Sequence, residues 1–213
     1  GSVDRTIKGL NGALARKETL QVITKLGMGE RVILKGEGGT GKTGIVAELA
    51  ERIGGKRPVF VLDARDVYGC DSFEDIARRL EIGDVGICET IRLWGHKKHA
   101  ILMVDQCDSI WRSELRYPLL DMLKECAKEP RLGIVLVIRK HEGKGLENLE
   151  SLGFSTTVVE VQPLSESDTK ELLARLGISE PSARLLAICE NLLNLSMVAD
   201  LVAERGTEAT RDI

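Results

Sequence analysis

Aromatic residues and long apolar runs are both scarce in this sequence. Aromatic side chains make up only 3% of the 213 residues, so the core must be built from Leu, Ile, Val and Ala. No apolar stretch approaches the ~20 residues of a membrane-spanning helix, and no basic-then-apolar leader is present. These absences predict a globular protein without a membrane partner.

Paired cysteine motifs and an excess of basic charge are also missing. The five cysteines are odd in number, scattered and never spaced as Cys-x-x-Cys, which favours reduced thiols in a cytoplasmic compartment over a disulfide or zinc framework. The net charge is −3, so no global basic face indicates a nucleic-acid partner, although a local basic groove stays open as an alternative. His96 and His99 have no third ligand in view, which favours a solvated turn over a metal site.

The clearest feature that is present is a glycine loop between two regular elements. Gly36-Glu37-Gly38-Gly39-Thr40-Gly41-Lys42-Thr43 follows an apolar run at 32–34 and opens into a stretch with helical spacing. Such a loop, between a strand and a helix, is a P-loop in its required context. Its glycines let backbone N–H groups approach phosphate oxygens. We therefore predict that the chain binds a nucleoside triphosphate, with Lys42 on the β- and γ-phosphates and the Thr43 hydroxyl on Mg2+.

Apolar runs alternate with helical patterns along most of the chain. The runs lie at 32–34, 58–62, 100–105, 132–138 and 157–161. Runs of this length between helices are typical of strands buried on both faces. The pattern predicts an α/β fold: a P-loop NTPase three-layer sandwich with a mainly parallel five-stranded sheet. Ligands of such sheets bind at the carboxyl ends of the strands, where Gly36, Asp105 and Arg139 are expected.

Three stretches that differ in polarity and in their strand signals predict the domain organisation. Residues 1–15 form a polar lead-in, residues 16–162 form the nucleotide-binding core, and residues 163–213 lack any strand signal. The last stretch is predicted to be a small helical lid subdomain over the nucleotide edge of the sheet. Predicted helices cover about 84–98 in the core and, in the lid, 165 to about 176, 181 to about 189, and 195–203.

An NTPase needs a carboxylate at a strand end to hold Mg2+ and a polar group to align the attacking water. Asp105 ends a buried apolar run and is the candidate for the first role, with Gln106 and Asp108 as candidates for the second. Asp108 is equally well explained as the N-cap of a helix that starts near Ser109, and the two roles are compatible.

Four segments together resemble the nucleotide-binding module of the STAND class of P-loop ATPases, AAA+ relatives that include NACHT, NB-ARC and archaeal-type ATPases. Leu14-Ala15-Arg16-Lys17-Glu18 is similar to the family segment beside the adenine, and residues 36–43 match its phosphate loop. Asp105-Gln106-Cys107-Asp108 resembles its second motif. Arg139 stands where the family often carries an arginine sensor for the γ-phosphate; the alternative is a solvated charge at a strand end.

This resemblance implies an ATP/ADP site with Mg2+ held by Thr43 and Asp105, with Arg16 near the base and Lys42, Asp105, Gln106, Asp108 and Arg139 as the catalytic set. It also implies a slowly hydrolysing switch module of a signalling regulator, with nucleotide-dependent self-association and effector domains outside this stretch. Ala15 and Ser109 depart from the family pattern, as does the lack of a proline at 195–197, and these departures concern base selectivity and hydrolysis rate. Two alternatives stay open: an AAA+-like helper ATPase acting on nucleic acid in replication, transposition or repair, and a nucleotide-binding scaffold with negligible hydrolysis.

Overall fold

A five-stranded sheet forms the centre of the computed structural model, which describes residues 7, 10, 16–63, 67, 69–79, 86–141 and 156–210. The strands run in the order β2-β3-β4-β1-β5, and all four pairings are parallel. β4 therefore lies between β1 and β3. The strands are β1 (Arg31–Gly36), β2 (Val59–Asp63), β3 (Ile101–Asp105), β4 (Gly133–Arg139) and β5 (Thr156–Val161).

Helices cover both faces of this sheet and make up the part of the chain after it. The first six are α1 (Lys17–Gly27), α2 (Lys42–Gly54), α3 (Phe73–Arg79), α4 (Ile87–Lys98), α5 (Cys107–Ile110) and α6 (Arg116–Ala127). The last are α7 (Glu166–Arg175), α8 (Ala183–Cys189), α9 (Leu192–Arg205) and a 3-10 turn at Thr207–Thr210. The predicted fold class is confirmed.

Aliphatic side chains build the core, as the scarcity of aromatic residues predicts. One buried cluster lies between the sheet and α3 to α6, and a second lies between the other face and α1 and α2. β3 is buried along its whole length because helices cover both of its faces. This packing fixes where the carboxyl ends of the strands lie.

The helices after β5 have a third, separate core, and we call residues 163–210 the helical segment. Leu173, Leu185 and Leu195 from its three helices are almost fully buried against one another. Leu10 and Ile7, from the predicted lead-in, pack against the same cluster. Most of residues 1–15 and all of 142–155, where a short helix was expected, lie outside the described residues. The predicted domain limits stay predictions.

Three helices begin away from their predicted positions, two of them directly after a capping side chain. The helix expected from 195 begins at Leu192, because the Asn191 side chain accepts a hydrogen bond from the Leu193 N–H. The helix expected from 181 begins at Ala183 behind the Ser182 cap. α4 begins at 87 rather than about 84. No single described helix is long and apolar enough to cross a membrane; α8 and α9 reach that composition only together, across a 118° bend.

Candidate nucleotide site

The glycine loop connects β1 to α2, as the sequence predicts. Gly39 and Gly41 have φ angles of 76° and 90°, a left-handed conformation that costs other residues energy and glycine little. The Thr40 hydroxyl donates to the Glu37 carbonyl (2.9 Å) and is buried inside the turn. The loop thus has a defined shape, held by its own hydrogen bonds.

Lys42 folds back over the start of this loop. Its Nζ donates to the carbonyl oxygens of Gly36 (2.9 Å) and Glu37 (2.6 Å). Burial lowers the pKa of the Lys42 ammonium, while the nearby Asp108 carboxylate acts in the opposite direction and raises it. A partly desolvated ammonium at the start of a helix is suited to binding phosphate.

β3 ends in the predicted carboxylate, and a strained residue follows it. Asp105 is only 2% exposed, and its Oδ1 accepts a hydrogen bond from the Gln106 N–H (2.8 Å). Gln106 has a φ of 52°, a left-handed conformation that is uncommon outside glycine. Both residues line the same cleft as the glycine loop.

The interpretation of Asp108 as a helix N-cap is wrong. α5 begins at Cys107 rather than near Ser109, so Asp108 lies inside its first turn and Gln106 occupies the cap position. The Asp108 carboxylate instead pairs with Arg139, at 3.3 Å between Oδ2 and Nε. Its side chain is 5% exposed and it also lines the cleft. The catalytic role predicted for Asp108 stays a prediction.

Arg139 lies at the carboxyl end of β4, directly beside the start of the loop. Arg139 pairs with Gly36 across the two parallel strands. The N–H of the next residue, Lys140, donates to the Gly36 carbonyl (3.1 Å). The Arg139 side chain is 57% exposed even though it pairs with Asp108. It therefore keeps guanidinium donors accessible at the cleft, and its role as a γ-phosphate sensor stays a prediction.

A cleft of about 400 Å³ brings most of the predicted site residues together. Gly36, Glu37 and Thr40 do not line it; their polar groups bond within the loop instead. The cleft is lined by Gly38, Gly39, Gly41, Lys42, Thr43, Gly44, Asp105, Gln106, Asp108, Val137, Arg139, Leu192, Leu193 and Ser196, together with Ile7 and Arg16.

Thr43 and Asp105 are the residues that would hold Mg2+ in this cleft. Hydroxyl and carboxylate oxygens suit this ion, which usually keeps several waters and substrate phosphates as its other ligands. Across the described parts of the chain, no three His, Cys, Asp or Glu side chains gather into a group that could hold a metal ion by themselves. Thr43 and Asp105 both line the cleft, so the residues present fit the ion, and its binding here stays a prediction.

Arg16 reaches the cleft but is already bonded within the protein. Its Nη2 donates to the Gln162 carbonyl (2.5 Å), and its Nε lies 3.3 Å from the Glu18 carboxylate, which is buried. These contacts hold the start of α1 against the end of β5. Contact of Arg16 with an adenine stays a prediction.

The start of α9 contacts the glycine loop through residues that are absent from the predicted site. Asn191 Nδ2 donates to the Gly38 carbonyl (2.7 Å), and the Leu193 N–H donates to the Gly39 carbonyl (3.2 Å). A Cβ on Gly39 would overlap the Asn191 amide, and one on Gly41 would lie 2.6 Å from Leu192 Cδ1. Asn191 was recognisable as a possible helix cap, but its contact with residue 38 was not.

Asp63 is a second carboxylate at a strand end and is absent from the predicted site. It ends β2 and pairs in register with Asp105 on the neighbouring strand. Its side chain is largely buried. The available signal was the same as for Asp105: an apolar run that ends in an aspartate.

Comparisons with known proteins identify the fold rather than a family. No family model matches the chain, and no curated protein sequence matches it. Solved structures do match. The Walker-type ATPase of Pyrococcus abyssi superposes with a TM-score of 0.69 at 14% identity, over 97% of this chain and 73% of that one.

Two further structures are similar over most of this chain. AMPPCP-bound DnaA from Aquifex aeolicus matches with a TM-score of 0.62 at 15% identity, over 95% of this chain and 66% of its own length. The Aeropyrum pernix ORC1 protein in complex with DNA matches at 0.53 and 16% identity, over 88% and 60%. This chain thus spans less than two thirds of the length of these two proteins. These similarities show that it has the α/β fold of a P-loop ATPase.

Proposed function

We propose that this chain is an ATP-binding, slowly hydrolysing and Mg2+-dependent switch module. The observation that carries the proposal is the contact between the glycine loop and the start of α9. Any ligand that rearranges the carbonyls of Gly38 and Gly39 must also change the hydrogen bonds of Asn191 and Leu193. A nucleotide on the loop would therefore shift the helical segment, which acts as the lid.

Most of the predicted site residues that line the cleft have a role in this proposal. The loop and Lys42 bind the phosphates, and Thr43 and Asp105 hold Mg2+, which neutralises charge on the phosphates when it is bound. Gln106 orients the attacking water but is a poor base, because its amide is neutral. Asp108 accepts the proton from that water or fixes Arg139 toward the γ-phosphate. With no glutamate beside Asp105, we expect slow turnover.

The finer assignment, to a STAND-type signalling regulator, is supported by the sequence resemblance of residues 14–18, 36–43, 105–108 and 139. A cytoplasmic location, self-association and effector domains outside this stretch belong to the same proposal. A helper ATPase acting on nucleic acid is the second candidate, and the similarity to DnaA and to ORC1 in complex with DNA favours it. A scaffold that scarcely hydrolyses is the third.

One set of measurements separates these candidates. Calorimetric titration with MgATP and MgADP tests binding, and phosphate release with and without added DNA tests hydrolysis. Absence of ATP binding would remove the whole proposal. Binding without phosphate release would indicate the scaffold, and DNA-stimulated release would indicate the helper.

The coupling of loop and lid is tested by hydrogen exchange at the start of α9. MgATP should change the exchange of the 191–195 amides in the wild-type chain. Asn191→Ala should remove most of that response. Asn194→Ala is the matched control, because its Nδ2 donates to the Ile188 carbonyl (3.0 Å) inside the helical segment. Equal responses in both variants would contradict the coupling.

A further inference from the structure

The amino edge of the sheet, at the opposite end of the strands from the cleft, carries a row of basic side chains. Arg57, His99 and Arg131 each stand two residues before the start of β2, β3 and β4. The first residues of these three strands are paired across the sheet. The three residues therefore precede neighbouring strands at one edge of the sheet, where adjacent strands are about 4.8 Å apart. Arg131 also donates to the His96 carbonyl (3.4 Å) at the end of α4.

Several cations of this edge have no acidic partner. On the flank of α4 that faces α6, Arg92 pairs with Glu125 at 3.7 Å, and His96 lies 3.2 Å from the Glu129 carboxylate. No ion pair joins any other described residue to the remaining cations, which lie at the end of α4 and ahead of β2. These cations are Lys56, Arg57, Lys97 and Lys98. The chain carries a net charge of −3, so this edge contrasts with the molecule as a whole.

An aromatic ring stands beside two of these cations, Lys97 and Lys98. Trp94, one of two tryptophans in the chain, is 43% exposed. Lys97 and Lys98 follow it at the i+3 and i+4 positions of α4, so the three side chains share one side of the helix. Part of this ring is therefore open to a contact with an apolar or aromatic group.

We propose that this surface, formed by Lys56, Arg57, Trp94, Lys97 and Lys98, binds a single-stranded nucleic acid. Unpaired cations attract the phosphates, and the Trp94 ring offers a face on which an unpaired base stacks. The bases of a duplex are already stacked on each other, so the ring favours a single strand. The proposal names the partner of the nucleic-acid candidate above, but it does not depend on hydrolysis.

Binding of a fluorescein-labelled oligo-dT of about 12 nucleotides, followed by anisotropy at low salt, tests the charges. The double variant Lys97→Gln/Lys98→Gln should bind about 10-fold more weakly, and the slope of log K against log salt should fall by about 1.4, since each single-strand contact contributes about 0.7. Arg184→Gln/Arg205→Gln is the matched control, because it removes two exposed charges from the helical segment. The control should bind like wild type.

Fluorescence tests the ring. Trp111→Phe leaves Trp94 as the single tryptophan, and bound oligo-dT should quench its emission. Trp94→Leu should weaken binding at least about 5-fold, the lower end of a stacking contact. MgATP titration of every variant should match wild type, which separates this proposal from the nucleotide site.

Four results with nucleic acid would overturn the proposal. They are an unchanged affinity in the lysine variant, an equal loss in the arginine control, binding without quenching, and equal affinity for a duplex of the same length. The last experiment measures binding to vesicles of anionic phospholipid. Binding to vesicles with the same lysine dependence, without binding to oligo-dT, would assign the surface to membranes instead.

Discussion

The carboxyl and amino edges of the sheet are built from the same strands but present opposite kinds of surface. At the carboxyl edge the polar groups are close together and bonded to each other: Lys42 to loop carbonyls, Asp105 to a backbone N–H, and Asp108 to Arg139. At the amino edge Lys97 and Lys98 have no described partner. A shaped cleft suits one small charged ligand, whereas a row of free cations suits an extended polyanion.

Even the strained residues divide between the two edges. Among the described residues, the only non-glycine positions with positive φ are Gln106, directly after β3, and His99, two residues before it. His99 ends α4, where a left-handed residue is common. Gln106 lies in the cleft, where strain often accompanies function. The same backbone conformation therefore has a structural reason at one edge and a candidate functional one at the other.

The largest expected effect on nucleotide binding is that of Lys42→Ala. Loss of a charge-assisted contact worth ~1.5–3 kcal/mol should weaken MgATP binding about 100-fold. Oligo-dT binding at the amino edge should stay unchanged. Calorimetry and anisotropy on the same preparation check both, with circular dichroism to confirm folding. Unchanged MgATP affinity in a folded variant would remove the P-loop interpretation, and lost oligo-dT binding would mean that the two edges are not independent.

The two carboxylates of the carboxyl edge should differ in what they affect. Asp108→Asn should spare nucleotide binding and slow single-turnover hydrolysis at least about 100-fold, the lower range for a general base. Asp105→Asn should weaken Mg2+-dependent binding as well, because its oxygen is a ligand candidate. Hydrolysis at the wild-type rate in Asp108→Asn would limit this carboxylate to holding Arg139 and leave Gln106 to align the water.

Arg139→Ala should separate ATP from ADP. Only ATP offers the γ-phosphate charge, so ATP affinity should fall about 10- to 100-fold while ADP affinity changes little. Titration with both nucleotides checks this, and Arg139→Lys, which keeps the charge, should recover part of the loss. Equal losses for both nucleotides would reassign Arg139 to general surface electrostatics.

The smallest expected effect compares the strained residue at each edge. Gln106→Gly and His99→Gly both relieve a left-handed conformation, so each should change the free energy of unfolding by no more than about 1 kcal/mol in the stabilising direction. Urea unfolding measures this. Only Gln106→Gly should slow hydrolysis. If His99→Gly slows it equally, the effect comes from β3 as a whole and not from the cleft.

Local pattern was enough to predict the α/β fold class and the residues that gather at the carboxyl edge. The P-loop can be recognised from the sequence because its glycines, its lysine and the flanking strand and helix are contiguous in the chain. The parallel sheet follows from alternating apolar runs, and a parallel sheet places every strand's carboxyl end at one edge. Gly36, Asp105 and Arg139 could therefore be brought together without coordinates.

Tertiary structure decided the contacts between residues that are far apart in the chain. Asp108 fits a helix cap by sequence, and only the packing of α5 beside the end of β4 gives it Arg139 as a partner. Asn191 lies 153 residues along the chain from Gly38, whose carbonyl accepts its hydrogen bond. No local sequence pattern predicts a contact between residues that are so far apart in the chain. The basic row at the amino edge depends on strand register in the same way. Spacing along the chain determines which side chains one element presents, whereas packing determines which of them meet.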